Sequence, residues 1–219
     1  MPVAVLAGHD ERLPERGAAL ARYAAVLTAQ PWSVSPAHGL DGTAVRAATG
    51  VVAMFNYLTR VADASGIELD YASPLPVFRP DRDSQPAPRP DRESWPVIGA
   101  EHRTLTQPWQ QWHDYVFDSD DPLTRRERRL LANAAAQECC DCWRADELAE
   151  YTPSDDRETA LDAFARKLSR RPWHMGPADL QALRDIGCAE PALLHAISVV
   201  ALQNAESRLA MGHGLTTSS

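Results

Sequence analysis

Apolar residues recur at helical spacing through most of this chain, and no stretch shows the strict apolar–polar alternation of a half-buried strand. Near the C-terminus, residues Leu193, Ile197, Val200 and Ala201 fall on one helical face. Another helix is expected to start at residues 121–124, with the sequence Asp-Pro-Leu-Thr, and to run to about Gln137. The pattern predicts about seven helices and an all-α fold.

Two stretches of the chain repeat each other. Residues 15–32 match residues 156–173 at one constant offset, and residues 51–62 match residues 199–210 in the same order. Each copy predicts a helix, a Pro-Trp turn and a later helix, so the sequence indicates an internal duplicated helical unit. The identical pairs are Arg16/Arg157, Ala19/Ala160, Leu20/Leu161, Ala24/Ala165, Leu27/Leu168, Pro31/Pro172, Trp32/Trp173, Val51/Val199, Val52/Val200, Ala53/Ala201, Asn56/Asn204, Arg60/Arg208 and Ala62/Ala210.

The prolines around the turn set the ends of the predicted helices. Pro31 and Pro172 end the preceding helices, and Pro36 and Pro177 suit the first position of the next element. The first copy is shorter between its turn and its last helix, so we expect one short helix to be missing there.

Between the copies, residues 73–96 hold seven of the 17 prolines, and the tetrapeptide Arg-Pro-Asp-Arg occurs twice. Such a segment predicts an extended linker, which we interpret as a spacer rather than a ligand for a proline-recognition domain. The expected organisation is a truncated copy at residues 1–72, a Pro-rich linker at 73–121 and a domain at 122–219.

Charge and hydropathy narrow the functional class. The net charge of -8 argues against a nucleic-acid partner, because no basic stripe is present to neutralise phosphates. No stretch approaches the ~18 apolar residues of a membrane span, and the apolar start at Met1–Ala7 is too short for a signal peptide. We therefore expect a cytoplasmic protein with no membrane partner and with reduced thiols.

Three of the four cysteines are clustered at Cys139, Cys140 and Cys142, which favours redox or metal chemistry over a structural disulfide framework. Cys139 and Cys142 are one helical turn apart, so they can form a reversible disulfide. A zinc site is the rival interpretation, but one short run supplies at most three thiolates and tetrahedral structural zinc needs four ligands. Small buried cysteines between packed helices are the third interpretation.

Glu127 is the carboxylate of interest in the predicted helix before these cysteines. It shares a face with Leu123, Leu130 and Leu131, and no Arg stands three or four residues away to pair with it. An inward carboxylate suits a proton relay to a nearby thiol. Thr124 and Glu127 also form a capping-box pattern, and both roles stay open.

This segment resembles the helix-loop-helix of the carboxymuconolactone decarboxylase / alkylhydroperoxidase D-like superfamily. The family's pattern is a Glu, a Cys-x-x-Cys that begins twelve residues later, and a His four residues after the second Cys. Glu127, Cys139 and Cys142 match this pattern, whereas Asp146 stands in place of the His. The likeness covers residues 122–212, and residues 15–66 resemble only the family's second half.

The resemblance implies an alkylhydroperoxidase D-like helical bundle that acts as a thiol-dependent peroxidase, needs no metal or cofactor and assembles as a homo-oligomer (a trimer or hexamer). Cys142 would attack a small-molecule peroxide, Cys139 would resolve the sulfenic acid to a disulfide, and Glu127 would relay the proton. An unknown thiol reductant would restore the dithiol. Asp146 disfavours a thiolate by like-charge repulsion, which puts efficient peroxidase activity in doubt.

Two other functions stay open at this point. One is a cofactor-independent lyase of the decarboxylase branch, in which the cysteines are incidental. The other is a non-catalytic helical binding or interaction protein that lacks the relay His. Several further polar residues we interpret as structural: His38, Asn56, Arg60, Cys188, His195, Asn204, Arg208 and His213.

Overall fold

A computed structural model of the chain describes residues 13–35, 39–67 and 103–214, with the backbone alone at 103–106. These residues form eight α-helices and two short 3-10 turns, and the described ranges hold no β-strand, so the all-α prediction is confirmed. The helices are α1 (Glu15–Ala29), α2 (Gly42–Ser65), α3 (Arg103–Asp118), α4 (Arg125–Glu138), α5 (Cys142–Glu147), α6 (Asp156–Arg170), α7 (Pro177–Asp185) and α8 (Glu190–His213).

The two repeated segments have the same local structure. The residue before each Pro-Trp turn has nearly the same backbone angles, φ -137° and ψ 65° at Gln30 and φ -139° and ψ 61° at Arg171. A 3-10 turn follows at Pro31–Ser33 and at Pro172–His174. The corresponding helices are thus α1 with α6, and α2 with α8.

The second copy contains an additional helix between its turn and its long helix. Pro177 occupies the first position of α7, as its fixed φ angle favours. In the first copy, the described residues between Ser33 and Gly42 form no helix. Pro36 lies outside the described residues.

Helices α2 and α8 pack against each other along much of their length and form the centre of the molecule. Gly212, near the end of α8, lies directly against the Thr49 side chain of α2, where a Cβ atom would overlap the hydroxyl. Thr49 in turn pairs its hydroxyl with that of Tyr23 on α1 at 2.6 Å. The contact joins one helix of the second copy to two helices of the first.

A larger core lies on the other side of α8, against α4 and α6. It includes Leu130 and Leu131 of α4, Leu161 and Leu168 of α6 and Val200 of α8, all at most 1% exposed. Burial of apolar side chains of this size is the main stabilising contribution to such a bundle.

Part of the predicted Pro-rich linker is helical. Residues 103–118 form α3, whose Val116 and Phe117 are buried in the core, so the linker prediction is wrong for this stretch. The physical reason is that the dense prolines end at Pro96, and the single Pro108 is compatible with the helix. Residues 73–102 lie outside the described residues.

Among the described residues, no single helix is long and apolar enough to cross a membrane, and one bent pair, α7 with α8 at 119°, reaches that length and composition together.

Candidate functional site

The cysteine cluster lies in the tight turn that joins α4 to α5. Cys139 caps the C-terminus of α4, and Cys140 follows with a left-handed φ of 54°. The N–H of Asp141 donates to Ala136 O at 2.9 Å and the N–H of Cys140 donates to Gln137 O at 3.0 Å, which together make a Schellman motif. This turn ends one helix and begins the next within three residues.

Cys139 is fully buried and has two polar partners on α8. Its Sγ donates to Asn204 Oδ1 at 3.2 Å, and Arg208 Nη1 donates to the same sulfur at 3.5 Å. Arg208 is itself buried, and burial lowers the pKa of its guanidinium. Sequence reasoning assigns Asn204 and Arg208 a structural role only, whereas both contact the sulfur directly.

The Arg208 side chain is held by the helix end of the other repeat. Its Nη2 donates to Thr28 O at 2.9 Å, at the last turn of α1. Arg60, the equivalent residue of α2, donates through Nη2 to Ser169 O at 3.0 Å, at the last turn of α6. Each arginine thus donates to a carbonyl in the last turn of a helix in the opposite copy, where the helix dipole favours a cation.

Two asparagines complete this reciprocal arrangement. Asn56 Nδ2 donates to Thr28 Oγ1 at 3.3 Å, and Asn204 Nδ2 donates to Ser169 Oγ at 2.8 Å. The repeat itself is the signal for these residues, since the Asn and Arg pairs recur at the same positions in both copies. The second copy alone carries α4 and α5 in the described residues, and these helices bring a cysteine to Arg208.

Cys142 is the more accessible thiol. It is the first residue of α5 and is partly exposed, and its Sγ lies 3.6 Å from Cys140 O. All four cysteines lie in the described part of the chain, and none is in a disulfide. The arrangement pairs a buried thiol beside a cation with a reachable thiol three residues later.

Glu127 lies far from both cysteines. It is in the first turn of α4 and Cys139 caps the last, so the helical rise alone separates their Cα atoms by ~18 Å. Glu127 Oε2 accepts from the N–H of Thr124 at 2.8 Å, which completes the capping box, and Oε1 accepts from Arg157 Nε at 2.6 Å. The expectation that Glu127 sits beside a thiol of the pair is therefore corrected, because one straight helix separates them.

The thiol that does lie near Glu127 is Cys188. Burial raises the pKa of this thiol, and both Arg157 and Glu127 act on it electrostatically. Asp146, the substitute for the family's His, is exposed on α5. Neither carboxylate of the predicted set reaches the interior around Cys139.

A different carboxylate, Glu206 of α8, is buried near the cysteine turn, and sequence reasoning does not find it. Burial raises its pKa to about 7, and Arg144 of α5 opposes this rise while Asp141 adds to it. Glu206 Oε1 lies 3.7 Å from His113 Nε2 of α3. Burial also lowers the pKa of His113, so burial disfavours the charged form of both partners.

Arg144, which acts electrostatically on Glu206, also contacts the cysteine turn. Its backbone N–H donates to Asp141 Oδ1 at 3.3 Å, and its Nε donates to Gln203 Oε1 of α8 at 3.3 Å. No sequence rule marks Glu206, because it belongs to an alanine-rich helix that is buried on every side in this part of the fold.

The described residues contain one group of side chains with metal-ligand chemistry, which is His113, Asp114 and Asp118. Their ligand atoms lie within 4.8 Å of one another. Asp118 is already paired with Arg129, and a neighbouring guanidinium disfavours a cation at that position. The cysteines do not belong to this group.

The fold and the site define a class of protein: an all-α chain with a duplicated helical unit and a buried Arg–thiol contact beside a second, partly exposed thiol. No family model, curated protein or solved structure matches the chain.

Proposed function

We propose that the chain is a thiol-dependent oxidoreductase that reduces a small peroxide through Cys142 and Cys139. The observation that carries the proposal is the 3.5 Å contact between Arg208 Nη1 and Cys139 Sγ, three residues from the reachable Cys142. Asn204 Oδ1 and Arg208 Nη1 both contact the Cys139 sulfur, which suits a thiol that has to attack a sulfenic acid on the cysteine three residues later.

The reaction proceeds in two steps. The thiolate of Cys142 attacks the O–O bond of the peroxide, which leaves a sulfenic acid on Cys142 and releases an alkoxide that takes up one proton. The thiolate of Cys139 then attacks the Cys142 sulfur, forming the disulfide and releasing hydroxide, which is protonated to water. An external dithiol then reduces the Cys139–Cys142 disulfide by exchange, becoming a disulfide itself, and restores both thiols.

Glu206 and His113 supply the protons in this scheme. A carboxyl with a pKa of about 7 is half protonated at neutral pH, so it can donate to the leaving oxygen and recover the proton afterwards. Arg144 and Asp141, at the cysteine turn, both act electrostatically on this carboxyl. The relay role that sequence reasoning gives to Glu127 and Asp146 passes to Glu206 and His113 in this proposal.

The proposal is tested by counting thiols before and after addition of hydrogen peroxide. We expect the wild-type chain to lose two thiols, and mass spectrometry of its peptides to find a Cys139–Cys142 bridge. Cys188→Ser is the matched control, because Cys188 is also a buried thiol near an arginine but lies in the other cluster. That variant should lose the same two thiols.

Arg208→Met examines the role of the buried cation. Without the guanidinium, Cys139 attacks more slowly, and we expect the Cys142 sulfenic acid to accumulate and be trapped by dimedone. Arg60→Met is its control, since Arg60 is buried in the same way and makes the equivalent contacts at the end of α6.

An unchanged thiol count in the wild-type chain after treatment with hydrogen peroxide would contradict the proposed oxidoreductase function.

A non-catalytic helical binding protein is the second candidate, and the geometry of Glu127 favours it. This carboxylate has a structural role in the α4 cap and in the pair with Arg157, as expected for a family-like scaffold without its relay. The two candidates differ in one measurement, because only the oxidoreductase consumes hydrogen peroxide repeatedly when dithiothreitol is supplied.

A cytoplasmic location belongs to the same proposal. The dithiol state of Cys139 and Cys142 must be restored after each cycle, and reducing compartments supply the thiols that do this.

A further inference from the structure

An apolar stripe runs along the outward face of α2. Its four large side chains are Val51, Met54, Phe55 and Leu58, which are 58%, 57%, 61% and 46% exposed. They stand at positions i, i+3, i+4 and i+7, so they form one continuous row on the helix surface. The opposite face of α2 packs against α8.

The stripe carries no charge. The charged residues of α2 are Arg46, Arg60 and Asp63, and helical geometry places all three away from the stripe. Exposed rows of large apolar side chains without interspersed charges are unfavourable in a monomer and are typical of interfaces. In a chain with a net charge of -8, an uncharged face is also the one that brings two copies together with the least repulsion.

The internal repeat allows the exposed stripe of α2 to be compared with the equivalent residues of α8. The stripe residues correspond to Val199, Leu202, Gln203 and Glu206 of α8, and all four of these are at most 5% exposed. In the second copy they are covered by helices of the same chain, as the contacts of Gln203 with Arg144 and of Glu206 with His113 demonstrate. The first copy has no counterpart of α4 and α5 in the described residues, so its stripe lacks that helical cover.

We propose that the stripe is covered by the same stripe of a second copy of this chain, in a two-fold dimer with antiparallel α2 helices. A two-fold axis between Met54 and Phe55 places Val51 of one copy against Leu58 of the other, so each apolar side chain meets another. Identical faces suit this arrangement because a two-fold interface is self-complementary. The dimer is independent of the proposed redox function.

The area is consistent with a reversible dimer. The four side chains expose roughly 400 Å² per copy, about half of the ~800 Å² per partner in a standard interface. Flanking positions such as Ala47 and Ala62, which carry small apolar side chains on the same face, extend the contact. We therefore expect a dimer that dissociates on dilution.

Sedimentation velocity of the full chain over a wide concentration range tests this inference. The wild-type chain should shift from monomer to dimer as its concentration rises. Phe55→Glu should weaken the dimer by about 30-fold or more, because it places a charge at the centre of the interface. Leu194→Glu is the matched control, since Leu194 is 59% exposed on α8 and lies outside the stripe. Leu58→Ser is a second, milder variant, and circular dichroism verifies that each variant is folded.

A photocrosslinking amino acid at position 55 identifies what covers the stripe. In a mixture of isotopically heavy and light chains, the inference expects mixed-mass crosslinks to residues 51–58 of the other copy. A wild-type chain that stays monomeric at every concentration overturns it. So do a trimer or hexamer that is insensitive to Phe55→Glu, and crosslinks confined to residues 68–102 of the same chain.

Discussion

Cys140 is in the left-handed region of backbone space, with φ 54°, at a position where helix ends usually carry glycine. A side chain in this region clashes with its own carbonyl group, at a cost of about 1–2 kcal/mol. The Schellman hydrogen bonds of Asp141 and Cys140 hold it there. The strain is local to the turn that positions Cys139 and Cys142.

Cys140→Gly should therefore increase the free energy of unfolding by about 1 kcal/mol, because glycine adopts this backbone conformation without strain. Urea denaturation of the reduced protein measures the change. Cys140→Ala serves as the control, since it removes the thiol and keeps the steric conflict. Equal stability of the Gly and Ala variants would contradict this explanation.

Because Glu206 is buried, the free energy of unfolding of the chain depends on pH. The pKa of Glu206 is raised to about 7 in the folded state from an ordinary value of 4.5, so folding favours the protonated form. The contribution of the Glu206 carboxyl to stability is fully present below pH 4.5 and is lost as the pH rises from 4.5 to 7. Above pH 7 it does not change further. His113, whose pKa burial lowers, changes stability in the opposite direction as the pH rises.

Glu206→Gln mimics the protonated carboxyl and should remove this loss. At pH 8 we expect the variant to be more stable than the wild-type chain by on the order of 1–3 kcal/mol, with little difference at about pH 4.5. Urea denaturation at both pH values measures the difference between the two proteins, in which the His113 contribution largely cancels. A variant that is less stable at pH 8 would contradict the buried-carboxyl explanation.

At the scale of the element, α4 is held at both ends by different means. Its N-terminus has the capping box of Thr124 and Glu127, and its C-terminus has the Schellman turn at Cys139. The pair of Glu127 with Arg157 also ties α4 to α6. The capping pattern is visible in the sequence, but the partner is not, since Arg157 lies 30 residues further along the chain.

Glu127→Ala should lower the free energy of unfolding by about 1–2 kcal/mol, through loss of the cap and of a partly exposed ion pair. Its peroxide reaction at Cys139 and Cys142 should stay at the wild-type rate, because about 18 Å of helix separates Glu127 from the thiols. Stopped-flow oxidation and urea denaturation measure the two effects. Thr124→Ala is the matched cap variant. A slowed oxidation in Glu127→Ala alone would restore the relay role.

At the scale of the whole molecule, an arginine of each copy donates a hydrogen bond to a helix end of the other copy, and we call these two residues the exchanged arginines. Arg60 of the first copy reaches the end of α6, and Arg208 of the second reaches the end of α1. Buried guanidinium groups are tolerated here because the carbonyls at helix C-termini attract cations. Gly212 permits the close approach of α8 to Thr49 in the same region.

Arg60→Met should destabilise the chain by about 2–4 kcal/mol, because the carbonyl of Ser169 and the side chain of Asn56 lose a buried donor. Arg208→Met should show a similar loss. A double-mutant cycle should give a coupling of about 0.5–3 kcal/mol, since both arginines hold the same pair of copies. A loss below ~0.5 kcal/mol for Arg60→Met would contradict the exchanged-arginine explanation.

The sequence by itself determined the helices of the two repeats, the N-terminal cap of α4 and the duplication, because these depend on local rules: the apolar period, the caps, and prolines such as Pro31 and Pro172. It did not predict α3, which lies in the segment assigned to the linker. It also identified Cys139, Cys142 and Glu127 as candidate catalytic residues. Only the tertiary structure decided their partners, since periodicity assigns a residue to a face but does not say which helix covers that face. The packing of the helices places Arg208 in contact with Cys139, pairs Arg157 with Glu127 and buries Glu206 near the cysteine turn.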